Sequence, residues 1–171
     1  MKARLDPIKN AGNAAPPMSS MGSYIQFRMN MPRPTTEEVH IRHILRFYVA
    51  RSFCNAGYQN VLVRPVVTVD GQDLLVDVAA EKGDKLILAI CEATAPSKET
   101  ITLLDNLKDV ENVEVIVLYS AHANPGDVPT HFKDQIASRR FRLSSVVPPP
   151  FDDAMEYDIW MFEITSREAL G

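Results

Sequence analysis

Cysteine is almost missing from this chain. Among 171 residues only Cys54 and Cys91 carry a thiol. They form no pair with zinc-binding spacing and no disulfide framework, which excludes a cysteine-built metal centre and a stapled secreted scaffold. Both fall in apolar stretches, so two buried thiols in a reducing compartment are expected. Glycine is also scarce, at seven residues. Gly71, Gly83 and Gly126 stand singly between elements, and no glycine-rich loop for cradling phosphates is present. No apolar run reaches the roughly 18 residues of a membrane span. The basic start Met1-Lys2-Ala3-Arg4 runs into Asp6, Pro7 and Asn10 rather than the apolar stretch of a secretory leader, so a cytoplasmic location is expected. Basic charge is not in excess either. The net charge is -4 and the pI about 5.5, which argues against coating nucleic acid with a uniformly basic face and leaves room for a local basic groove.

What is present suits one α/β domain: 46% of the residues are hydrophobic and 23% charged, the balance of a chain that buries a core. Residues 1–34 carry Pro7, Pro16, Pro17, Pro32 and Pro34 and no sustained period. They read as a flexible N-terminal arm with one short extended piece at 24–27. Thr35-Thr36-Glu37-Glu38 fits a capping box opening a helix to about residue 55. Ile41, Leu45, Tyr48, Val49 and Ser52 share one face of that helix, Arg42, Arg46 and Arg51 lie largely on the others, and Gly57 stops it. Three strands follow at 61–69, 73–80 and 85–93, joined by the hairpin turn Asp70-Gly71 and a second turn at 81–84. Pro65 suggests an edge or bulge in the first. The third is apolar almost throughout, which places it centrally with both faces covered. A helix at 97–108 separates it from a strand at 113–119, so these two strands are expected to be parallel. A helix at 130–138, a strand at 141–146 and, past Pro148-Pro149-Pro150, an acidic tail over 148–171 with one strand-like piece at 157–164 complete the chain.

Helix, three-strand meander, helix, parallel strand, helix, strand: over residues 35–147 this order resembles the restriction-endonuclease-like core of the PD-(D/E)xK nuclease superfamily. The resemblance implies an α/β fold with a mixed sheet flanked by helices. It also implies an acid on the second strand, an acid-x-lysine on the third, and often a glutamate on the first helix. Two carboxylates would hold Mg²⁺ against a scissile phosphate while the lysine prepares the attacking water. Asp77 falls at the first metal-ligand position, Glu92 is the available third-strand acid, and Glu37 or Glu38 corresponds to the accessory acid. The lysine departs from the pattern. One register of the third strand places Cys91 and Ala93 at the motif positions, the other Ile90 and Glu92, and Lys98 at the start of the next helix is the nearest substitute.

Simpler roles exist for the same residues. Asp77 would equally serve a neighbouring backbone amide, and Glu38 is already used by the capping box. Glu92 interrupts the most apolar strand and requires a metal, a base or an exit to solvent. His40 and His43 have no third ligand placed by the sequence and read as surface histidines. The cluster of Lys133, Arg139, Arg140 and Arg142 reads as a solvated helix end.

The missing acid-x-lysine and the acidic pI favour a non-catalytic, degenerate nuclease-like domain that recognises nucleic acid or serves as an assembly module in a protein complex. The alternatives are an active Mg²⁺-dependent DNA endonuclease using Asp77, Glu92 and Lys98, and a small-molecule enzyme or interaction domain on an unrelated α/β fold.

Overall fold

The computed structural model describes residues 1–15, 37–92, 98–120 and 141–146. Helix α1 (Glu37–Asn55) ends where the glycine was expected to end it. Gly57 takes φ 82° and donates its N–H to the Cys54 carbonyl, while the Tyr58 N–H reaches the Phe53 carbonyl at 3.1 Å. This paired closure satisfies two orphan carbonyls of the last turn, and the Tyr58 ring then packs on Phe53 with centroids 5.6 Å apart. Between Ile44 and Phe53 the helix is buried on almost its whole circumference, Arg51 included. That corrects the placement of Arg51 on an outward face. Cys54 is exposed, whereas Cys91 is buried as expected.

The chain next forms a long hairpin that changes sheets halfway. Strands β2 (Gln59–Val63) and β3 (Val66–Val69) ascend, and β4 (Gln72–Leu75) and β5 (Val78–Lys82) return. At the tip, Asp70 and Gly71 both have positive φ, 49° and 76°, the geometry that matches a two-residue turn to the strand twist. The two expected long strands each break once, at Arg64-Pro65 and opposite at Val76-Asp77. Backbone bonds cross the break, from the Arg64 N–H to the Asp77 carbonyl (2.7 Å) and from the Val76 N–H to the Pro65 carbonyl (3.2 Å). Proline cannot donate to a ladder, and Arg64 turns into the left-handed region at φ 54°, so the hairpin bends here.

Below the bend, β2 and β5 join β6 (Lys85–Glu92), β7 (Val113–Ser120) and β8 (Arg142–Val146) in a five-stranded sheet of order β2-β5-β6-β7-β8. The pairs β2/β5 and β5/β6 are antiparallel, and β6/β7 and β7/β8 are parallel. The central place of β6 and its parallel neighbour agree with the sequence reading, and helix α2 (Lys98–Leu107) lies in the β6–β7 crossover. This mixed α/β sheet is consistent with a restriction-endonuclease-like core. Strand parity divides the apolar side chains cleanly. Val78, Ala80, Ile87, Ala89, Cys91, Ile116 and Leu118 face α1. Ala79, Leu88, Ile90, Val115 and Val117 pack with Leu104 and Leu107 of α2 and with the hairpin's upper half.

Residues 1–15, expected as part of a loose arm, are instead bound to the sheets. Strand β1 (Ala3–Arg4) pairs antiparallel with β3, completing a small sheet of order β1-β3-β4. The Asn10 amide imitates a strand residue: its Oδ1 accepts the Val66 N–H at 2.7 Å and its Nδ2 donates to the Val66 carbonyl at 2.9 Å. Asn10→Ala strands both groups at a site 6% exposed. The expected cost is about 1–3 kcal/mol, measured by urea unfolding. The expected elements at 24–27, 130–138 and 157–164, and Lys133, Arg139 and Arg140, lie outside the described residues. Among the described residues no helix is long and apolar enough to cross a membrane.

Candidate functional site

Asp77 occupies the sheet-switching bend. Because β5 stops pairing with β6 at Val78 opposite Ala89, the next outward N–H on that edge of β6 needs another acceptor. Asp77 Oδ2 supplies it, taking the Cys91 N–H at 2.8 Å. Its Oδ1 accepts Nε of Arg46 at 2.7 Å, with both side chains only 13% exposed.

Glu92 is the last residue of β6 and is 1% exposed. No exit to solvent serves it. Parity puts it on the α2 side, where Thr100 Oγ1 donates to Oε1. Arg42 reaches around the end of β6 from α1, donating from Nη2 to Glu92 Oε2 at 3.4 Å and from Nη1 to the Cys91 carbonyl at 3.0 Å. Arg42 and Arg46 are four residues apart, one helical turn, so α1 presents both guanidinium groups along one edge. Each holds one of the two acids.

Asp77, Glu92 and Lys98 all border a single cleft of about 780 Å³, together with Arg42, Arg46 and Arg64. Lys98 opens α2 and is exposed. The side chain of Glu38 lies outside the described residues. Sequence reasoning found the acids and Lys98 but missed Arg42, Arg46, Arg64 and Thr100. An arginine pair at helical i,i+4 spacing preceding two strand acids was the available signal.

Each oxygen of Asp77 and of Glu92 accepts a protein hydrogen bond, and a guanidinium group lies against each carboxylate, so Mg²⁺ bound here would compete with Arg42 and Arg46 for the same acids. Among the described residues no group of three or more His, Cys, Asp and Glu could hold a metal ion. Cys91 is fully buried, and burial, then the charge of Asp77, push its thiol well above the usual range, the opposite of an activated thiolate.

The chain matches no protein-family model and no curated protein. Solved structures similar to it include protein VC1899 from Vibrio cholerae, at 12% identity and TM-score 0.46 over 74% of this chain and 32% of that one. Can2 from Sulfobacillus thermosulfidooxidans, in complex with cyclic tetra-adenylate, is similar at 12% identity and TM-score 0.46 over 69% of this chain and 35% of its own. The chain thus spans about a third of the length of either structure.

Proposed function

We propose that this chain is a degenerate PD-(D/E)xK-type domain that recognises nucleic acid at the cleft beside Asp77 and Glu92 without cutting it. The observation that carries the reading is the occupation of both carboxylates by Arg46 and Arg42. A catalytic pair directs its oxygens at a cation, whereas these accept guanidinium, amide and hydroxyl donors from the protein itself. Their chemistry is that of a cross-brace between α1 and the end of β6, with a polar cleft in front of it. Arg64 and Lys98, beside that brace on the same cleft, supply donors suited to phosphate oxygens.

A second reading, an active Mg²⁺-dependent DNA endonuclease, draws on one observation: Asp77, Glu92 and Lys98 border the same cleft. One experiment separates the two. Labelled DNA and RNA, single- and double-stranded, are titrated with the protein in EDTA and in Mn²⁺, following anisotropy and product length together. Binding in EDTA with intact substrate in Mn²⁺ is expected. Mn²⁺-dependent cleavage that Asp77→Asn abolishes makes the chain an enzyme, and absence of binding to every substrate returns it to the assembly modules.

A further inference from the structure

Two residues on the cleft break local rules that the ion pairs behind them do not require, and a third offers the cleft an apolar surface. Arg64 is a non-glycine residue at φ 54°, where a Cβ costs roughly 1–2 kcal/mol. Its backbone is held there by the Asp77 carbonyl on one side and, through its own carbonyl, by the Asn13 amide on the other. Lys98 places a cation at the first residue of α2, the positive end of the helix dipole. Leu75 is 58% exposed, beside a well-formed core. All three border the same cleft. Among the described residues no hydrogen bond or ion pair engages the Arg64 guanidinium or the Lys98 ammonium. Locally unfavourable choices that converge on one cleft mark a place where function has overridden folding.

The charges there limit what binds. Glu92 and Asp77 neutralise Arg42 and Arg46, and Lys9 neutralises Asp73 at 2.9 Å. Among the described residues lining the cleft, Arg64, Lys98 and Glu99 are the charged groups then left without an ion-pair partner. That is cation enough for about one phosphate, far from the dense face a duplex requires, on a chain whose net charge is -4. We infer that Arg64 and Lys98 grip a single phosphate and that Leu75 supports the attached base, so the cleft takes one nucleotide unit of a single strand rather than a duplex. This rests on the nucleic-acid reading above and specifies its ligand.

The test uses the full chain, a labelled single-stranded oligonucleotide, the matching duplex, and nucleoside monophosphates and inorganic phosphate as competitors. Single strands should bind at least about tenfold more tightly than duplex, with log K falling by only about 0.7–1.4 per decade of salt, the slope of one or two phosphates. Competition by a nucleoside monophosphate locates the ligand in a free nucleotide or a strand terminus. Competition by the oligonucleotide alone requires an internal unit, and either result supports the inference. Inorganic phosphate competing as well as the monophosphate would remove the base contact.

Arg64→Gly should leave Tm unchanged or raise it, by relieving the left-handed backbone, yet weaken binding at least about tenfold. Lys98→Glu should do the same, because an acid suits that helix end. Binding unchanged in both variants, a fall of Tm in parallel with binding, or equal affinity for duplex would overturn the inference while the function proposed above stood. If the wild-type chain bound none of the probes, the nucleic-acid reading would fall, and this inference with it.

Discussion

Arg46→Ala should lower the unfolding free energy by about 3–5 kcal/mol, because it abandons the Asp77 carboxylate in a largely buried position. Asp77 would keep its bond from the Cys91 N–H, which a single neutral donor does not make equivalent to a guanidinium. Pairing Arg46→Ala with Asp77→Asn should restore much of the loss, since neither charge then remains uncompensated. Urea unfolding of the single and double variants closes the cycle. A cost below about 1 kcal/mol for Arg46→Ala would reduce the pair to the rank of a surface bridge.

Phe47→Ala should cost about 3–5 kcal/mol. The ring is fully buried in the cluster where α1 meets Val78, Ile87, Ala89 and Ile116, and β-sheet on one side limits how far the cavity can collapse. The same helix carries Arg42 and Arg46, so its seating on the sheet also sets where the two guanidinium groups arrive. Chemical denaturation, read by far-UV circular dichroism, measures the loss, and a cost under about 1.5 kcal/mol would show that the helix is seated by something else.

The elements with strong periodic signals were legible in the residues. β6 was recognisable as a central strand because residues 86–91 are apolar at every position, which only a strand covered on both faces tolerates. Parity along it correctly separated Ile90 and Glu92 from Ala89 and Cys91. The split of the hairpin was not legible. Pro65 announced an irregularity, but nothing in the residues said that the two halves would enter different sheets. The segment 1–15 was missed for a related reason. Asn10, Asn112 and the Met1 backbone hold it through side-chain and terminal bonds without any period, such as the Ala3 N–H to Asn112 Oδ1 at 2.7 Å.

The acids of the site stood out because a carboxylate in an apolar strand must be accounted for. Their partners did not, because an arginine on a mostly buried helix looks like one on its solvent face until the helix is docked. In the proposed reading, the ion pairs with Arg42 and Arg46 make Asp77 and Glu92 members of a brace rather than metal ligands. A motif match at the acids could not reveal that, since the deciding residues lie more than 30 positions upstream: Arg46 pairs with Asp77 across 31 and Arg42 with Glu92 across 50.

The most direct measurement is the melting temperature of the metal-free wild-type chain as Mn²⁺ is added, beside that of Asp77→Asn. If the arginines hold the acids, the wild-type Tm stays flat across the titration. Asp77→Asn then melts lower at every Mn²⁺ concentration, zero included, because a charge-assisted bond to Arg46 has been weakened. A wild-type Tm that climbs with Mn²⁺ occupancy, together with a variant that melts like the metal-free wild type and ignores Mn²⁺, would contradict the account and identify Asp77 as a metal ligand.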